Sequence, residues 1–206
     1  HDQVLMSYYR SNISHLFMIP AILATALLQQ PQAKHSLLQL TQQLQPLLER
    51  ELFLAPQHLG NYVESLIQFM QQEGLIDCNS QTDRLSVAEP QRAKLELLAC
   101  LADAVLQRYS MVLQLIRGAE PMERDALEQK AHQLALRLST LHGLDSPEFH
   151  DKRLFVTLIN ALKDLGYIHA DAQYKLQISE SFDGLDRQIS QLLSATVNAS
   201  IHQIGS

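Results

Sequence analysis

The sequence predicts an all-α protein, mainly helical, with two short β-hairpins. Leucine occurs 38 times and glutamine 23 times, against 7 Gly, 7 Pro and no Trp, and Leu and Gln are good helix formers. Apolar residues recur at spacings of three and four over long stretches, as on one face of a helix. With 206 residues, 46% of them apolar, the chain can bury the core of one large domain or two small ones.

Composition and charge exclude several classes of protein. Disorder, collagen and a disulfide scaffold do not fit this apolar, glycine-poor chain. The 22 acidic against 16 basic residues leave a net charge of −6, which argues against a nucleic-acid partner. Cys78 and Cys100 are typical of reduced thiols, although a disulfide between them stays open. The chain shows no secretory signal and begins without Met, so we expect a piece of a longer protein.

Helical periodicity and its breaks define the elements of the first half. Proline at 31 and 56 and glycine at 74 end successive helical stretches. Ser36 and Gln39 fit a capping box that opens the second stretch. The pattern predicts helices over 6–30, 36–52 and 59–73, followed by a hairpin with strands 75–76 and 84–87.

The same order of elements is predicted again in the second half. Helices are expected over 91–117, 123–141 and 146–166, followed by a hairpin with strands 167–168 and 174–178 and a closing helix over 183–201. Placing Leu66-Ile67 on Leu158-Ile159 brings Gly74 onto Gly166, both at a separation of 92. We therefore predict a tandem duplication with units 1–90 and 91–180, closed by 181–206.

Three helices followed by a hairpin are the outline of a winged-helix unit, so the halves are candidates for tandem winged-helix-like units. In a DNA reader of this kind, the helix before the hairpin carries basic side chains into the groove. The first such helix here, 59–73, contains no Lys or Arg, and the second carries only Lys152, Arg153 and Lys163. Protein contact or simple packing is favoured for these helices.

The longest apolar run covers residues 16–28 and contains Pro20. As a helix, 13 residues rise about 20 Å, short of the roughly 30 Å of a bilayer core. Two interpretations remain: a buried core helix with a proline kink, which we favour, or a helix that docks on an interface or a partner. With no basic face beside the run, we expect the fragment to be soluble and the run mostly buried.

The residues predict no catalytic, cofactor or metal site. None of the nine histidines has another three or four residues away, the spacing of a two-ligand metal face on a helix. The best metal candidates, Asp145, Glu148, His150 and Asp151, stand at a predicted helix start, where capping is the favoured role. Glycine-rich phosphate loops and nucleophile motifs are missing from the sequence. The residues alone indicate a helical, acidic interaction or support module.

Residues 8–15 read YYRSNISH, and residues 137–152 read RLSTLHGLDSPEFHDK. These strings resemble YYRNNIxH and RLSxLHGxxxPEFxDK of the bacterial membrane-bound glycerol-3-phosphate acyltransferases (the PlsB family). Shorter similar blocks lie at 51–54 and 106–109. The resemblance covers essentially the whole chain, as the C-terminal region of a larger enzyme.

The resemblance implies that the parent protein transfers an acyl group from acyl-CoA or acyl-carrier protein to the 1-hydroxyl of sn-glycerol 3-phosphate. The family's HxxxxD motif, a general base held by a carboxylate, does not occur here, because no histidine is followed by Asp at the fifth position. No catalytic residue is therefore carried over. The fragment is expected to be inactive alone, without a cofactor, and to support or dock the N-terminal catalytic domain of the same polypeptide. That domain would bind the substrates.

The resemblance also implies peripheral association of the parent with the cytoplasmic face of the bacterial inner membrane. The alternative is a free-standing helical adaptor without enzymatic activity. Tyr9, Arg10, Asn12 and His15 share or neighbour one helix face, and interfaces favour Tyr and Arg. These four residues are the candidate docking residues, although they could equally cap the helix or pair with other residues of this chain.

Overall fold

The computed structural model describes the backbone of residues 2–52, 58–118, 120–142 and 151–205, and the side chains of 16–51, 58–118, 120–139 and 151–203. Within these ranges the protein is mainly helical, with eight α-helices and two small antiparallel sheets. This confirms the predicted fold class.

The first motif runs from α1 to β3. Its elements are α1 (Asp2–Gln29), β1 (Gln32–Ala33), α2 (Lys34–Leu52), α3 (Leu59–Gln72), β2 (Ile76–Asn79) and β3 (Arg84–Val87). The strands form an antiparallel sheet in the order β1-β3-β2, with Cys78 opposite Leu85 and Gln32 on its other side. Strand β1 was not predicted, because two residues carry no periodicity.

The second motif runs from α4 to β5, after a 3₁₀ turn at Glu89–Gln91. Its elements are α4 (Arg92–Gly118), α5 (Arg124–His142), α6 (Lys152–Asp164), β4 (Ile168–Ala170) and β5 (Leu176–Ile178). Ile168 lies opposite Ile178 in the hairpin. The Leu176 amide donates to the Met122 carbonyl at 2.8 Å, and Glu123 bridges to Lys175. A bridge at 122–123 thus stands where the first motif has β1.

The turns after α3 and α6 have the same hydrogen bonds at a separation of 92. Gly74 and Gly166 have φ of 65° and 77°, a left-handed conformation that glycine adopts without strain. Their amides donate to Gln71 and Lys163, and the next amides donate to Met70 and Leu162. Both helices therefore end in a glycine-capped turn that directs the chain into a hairpin.

The chain divides into two compact units, 1–103 and 104–206; the predicted boundaries at 90 and 180 stay a prediction. In the first unit, α2 packs against α1 and α3, and α1 also contacts β3. Residues 18–27 of α1 are all buried, whereas Leu16 and Phe17 at the start of the apolar run are 60% and 44% exposed. The expectation that the run is mostly buried is therefore confirmed. In the second unit, α6 packs against α5 and β4, and α8 packs against α5.

None of the helices, over their described residues, combines the length and the apolar character needed to cross a bilayer. The predicted closing helix is wrong in one respect, because two helices, α7 (Phe182–Leu192) and α8 (Ala195–Gly205), replace it. Leu193 turns to an extended conformation, and Ser194 Oγ accepts the Val197 amide as a new cap. Asn198 Nδ2 donates to the Ser190 and Leu193 carbonyls at the end of α7.

Candidate functional site

The candidate docking residues Tyr9, Arg10, Asn12 and His15 lie on the backbone of α1. Their side chains fall outside the described residues. The helical backbone agrees with the spacing on which their shared face was predicted. Their role in docking stays a prediction.

The acidic segment before α6 was weighed as a metal site against a helix cap. Asp145, Glu148 and His150 lie outside the described residues. Asp151 is the N-cap of α6, and its carboxylate accepts the Arg153 amide at 2.9 Å. Among the residues that the structure describes, no group of three or more His, Cys, Asp or Glu side chains is placed to hold a metal ion. Capping is therefore the observed role of Asp151.

Asp151 belongs to the string 137–152, and its carboxyl is influenced by Arg108 from the block 106–109. The Arg153 side chain, hydrogen-bonded to Asp151 at 3.0 Å, holds the pKa of that carboxyl below its usual value, and the positive charge of Arg108 lowers it further. Arg108 in α4 is 2% exposed. A buried guanidinium and the cap of α6 thus lie within electrostatic reach of each other, and a buried charge is costly unless it is compensated.

Both cysteines are free and exposed. Cys78 lies on β2, where its thiol is 3.8 Å from the Asp83 carboxylate. Burial and the nearby Asp103 carboxyl raise the pKa of the Cys100 thiol. A raised pKa disfavours the thiolate that nucleophilic chemistry needs.

A cavity of about 220 Å³ opens between α2 and α3. The lining consists of three apolar and four polar side chains: Lys34, His35, Leu38, Val63, Glu64, Ile67 and Gln68. Its three most apolar residues make it suited to an aliphatic group, with one cation and one carboxylate beside it. The lining holds a single carboxylate, Glu64, and therefore no pair of carboxylates for acid–base work.

A charged cluster that sequence reasoning missed joins the end of α4 to α7. Arg117 donates to Asp183 at 2.8 Å and to Asp186 at 2.9 Å, and Gln114 donates to Asp186 at 3.1 Å. The guanidinium also stands 5.5 Å from the centre of the Phe182 ring. Burial lowers the pKa of Arg117, but the two carboxylates outweigh it and hold the pKa above its usual value. We interpret the cluster as structural, because its charged groups bind one another and so hold α7 against the end of α4.

The outer side of α3 carries exposed apolar side chains, which we call the α3 face: Tyr62, Leu66 and Phe69. Tyr62 is 38% and Phe69 53% exposed, and Leu66 is half-buried. By helical spacing alone, Tyr62 and Leu66 would fall with Val63 and Ile67 on one broad apolar side of the helix. The structure separates them, because only Leu59, Val63, Ile67 and Met70 are buried.

Comparison with known proteins gives a consistent result. The family described as "Glycerol-3-phosphate acyltransferase C-terminal region" matches residues 1–171. Curated proteins named glycerol-3-phosphate acyltransferase are similar along almost the whole chain. Those from Shewanella baltica strain OS155 and Shewanella amazonensis are 37% identical over 199 residues, covering 96% and 95% of this chain. One from Shewanella sp. strain MR-7 is 37% identical over 202 residues. In each case the chain spans 24% of the relative's length.

Proposed function

Because this chain belongs to the family of glycerol-3-phosphate acyltransferase C-terminal regions, we propose that it is the non-catalytic support and docking domain of such an enzyme. The observation that carries the proposal is the match over 96% of this chain to enzymes four times as long. The sequence supports the proposal as well, because no histidine in it is followed by Asp at the fifth position.

In the parent enzyme, we propose, the 1-hydroxyl of sn-glycerol 3-phosphate attacks the thioester carbonyl of acyl-CoA or acyl-carrier protein. The thiol leaves, and lysophosphatidic acid is formed. The HxxxxD base that starts this attack, and the binding sites for both substrates, belong to the catalytic part of the same polypeptide. This chain contributes a helical body against which that part is held.

The same proposal places the parent at the cytoplasmic face of the bacterial inner membrane as a peripheral protein. The catalytic part then meets its lipid product at the bilayer. This chain, with a net charge of −6, offers little attraction to anionic lipid. Its role is to orient the catalytic part through protein contacts.

Activity assays on two proteins test the division of labour. The full-length enzyme is expected to turn over glycerol 3-phosphate and palmitoyl-CoA, whereas the purified 206-residue chain is expected to give no turnover above background. Turnover by the chain alone would contradict the non-catalytic role. An open reading frame that stops directly upstream of this chain would favour the free-standing adaptor instead.

A substitution tests docking through α1. In the full-length enzyme, Arg10→Ala is expected to lower activity or assembly, while the melting temperature of the purified chain stays nearly unchanged. Lys94→Ala, which removes the same charge from an exposed position of α4, is the matched control and is expected to leave activity unchanged. A large loss of chain stability with normal enzyme activity would give Arg10 an internal structural role.

A further inference from the structure

The α3 face is an apolar surface that the first motif leaves open. Tyr62, Leu66 and Phe69 follow one another at spacings of four and three, which puts them on one side of the helix. Phe69 is 53% exposed at the centre of the last two turns of α3. An isolated exposed apolar residue is ordinary, but adjacent aromatic side chains on one face are typical of an interaction surface.

The second motif shows the matching surface in a covered state. The shared turn at Gly74 and Gly166 sets the correspondence, at a separation of 92. It pairs the α3 face with Leu154, Leu158 and Ala161 of α6. Leu158 and Ala161 are each 2% exposed, and Leu154 is half-buried. The same side of the same helix is thus packed in one motif and open in the other, where its side chains are larger.

The charges on α3 indicate which class of partner the α3 face can bind. Between Leu59 and Gln72 the helix contains no Lys or Arg, and Glu73 is exposed one turn beyond Phe69. Anionic lipid and nucleic acid need basic side chains at their contact surface. Tyr and Phe with a polar, acidic rim are instead typical of a protein–protein contact.

We propose that the α3 face packs against the catalytic part of the same polypeptide. The α3 face would then be a second docking surface, in addition to the one proposed on α1. The inference rests on the proposed function. The relatives carry three quarters of their length outside the region that matches this chain, and the matched family is a C-terminal region. A covalently joined partner is present at high effective concentration, which favours it over a second copy or a separate protein.

Site-specific photo-crosslinking in the full-length enzyme tests the proposal. Benzoylphenylalanine replaces Phe69 in one preparation and Tyr174, which is 80% exposed on the second hairpin, in the control. Position 69 is expected to yield crosslinked peptides from the catalytic part, at least about five times more than position 174. Crosslinks confined to this chain, to lipid or to an isotope-labelled second copy would overturn the proposal, as would equal yields.

The activity of the same preparations separates this inference from the proposed function. An active enzyme without the expected crosslink means that the α3 face is not a docking surface, while the acyltransferase assignment stands. If the full-length enzyme shows no turnover even before benzoylphenylalanine is introduced, the proposed function itself is contradicted. As a second readout, Phe69→Ser is expected to lower activity several-fold, and Leu97→Ser, at a 75% exposed position, is expected to leave it unchanged.

Discussion

The two three-helix motifs share their turns and differ in what surrounds their third helices. After α3 and after α6, a glycine in the left-handed region and two backbone hydrogen bonds direct the chain into a hairpin. Yet Phe69 is 53% exposed, whereas Ala161 at the matching position is 2% exposed. The comparison teaches that a few local residues suffice to repeat a backbone, while the exposure of a face depends on its neighbours.

The beginnings of the two helices differ as well. Asp151 caps α6 through its carboxylate, whereas His58 before α3 has φ of 63° and makes no side-chain cap. A non-glycine residue in the left-handed region is strained. The first motif therefore lacks a local stabilising contact that the second one has.

The largest difference between the motifs is expected in the stability lost when a core side chain is truncated, at two positions separated by 92. Phe155 and Val63 are 0% and 1% exposed. Phe155→Ala is expected to lower the free energy of unfolding by about 3–5 kcal/mol, because it removes a buried ring and leaves a cavity. Val63→Ala removes two methyl groups and is expected to cost about 1.5 kcal/mol. Urea unfolding followed by circular dichroism measures both, and equal losses would break the correspondence of the two positions.

The Arg117 cluster lies beside the second motif, and its two carboxylates are expected to differ in their contribution to stability. The Asp186 side chain is 9% exposed and the Asp183 side chain 64%. Asp186→Ala is expected to cost about 2 kcal/mol, because it leaves partly buried donors unsatisfied. Asp183→Ala, the matched control, removes an exposed pair and is expected to cost about 0.5 kcal/mol. If Asp183→Ala proved the more costly in thermal unfolding, the cluster would not anchor α7 in this way.

The glycine turns are expected to respond alike. Gly74→Ala and Gly166→Ala each place a side chain in the left-handed region, which costs roughly 1 kcal/mol. A new Cβ meets nothing within 4 Å at either position, so strain is the whole effect. Gly184→Ala, within α7, is the control and is expected to stabilise by about 0.5 kcal/mol. Calorimetry on the three variants tests this, and unequal costs at 74 and 166 would contradict a shared turn.

The smallest effect concerns pH and the cap of α6. Arg153 holds the pKa of Asp151 below its usual value, so the ionised carboxylate stabilises the folded state. This contribution is complete above the unfolded pKa of about 3.9 and is lost as the pH falls through the folded value. Asp151→Ala is expected to cost about 1 kcal/mol at pH 7 and progressively less below pH 4. A cost that does not change between pH 7 and pH 2 would exclude the charge from the effect.

Much of the fold was predictable, because the helices are long and their apolar periodicity is strong. The starts of α3 and of the second hairpin, and the end of α4, fall within a residue or two of the prediction. Strand β1 and the break between α7 and α8 were missed. Each depends on one or two residues, Gln32–Ala33 and Leu193-Ser194, whose conformation is decided by a neighbouring strand and by cap hydrogen bonds.

The helical class, the repeated turn at Gly74 and Gly166, the mostly buried apolar run at 16–28 and the family resemblance could all be read from the sequence. They depend on hydrophobic periodicity, on the backbone freedom of glycine and on short sequence motifs, all of which can be recognised without knowledge of tertiary contacts. Three features depend on how the elements pack: the hydrogen bonds from Arg117 to α7, the effect of the Arg108 charge on Asp151, and the exposure of Tyr62 and Phe69. The reason is physical: side chains 66 to 72 residues apart in the chain become partners, and a helix face becomes buried or open, only when the elements pack.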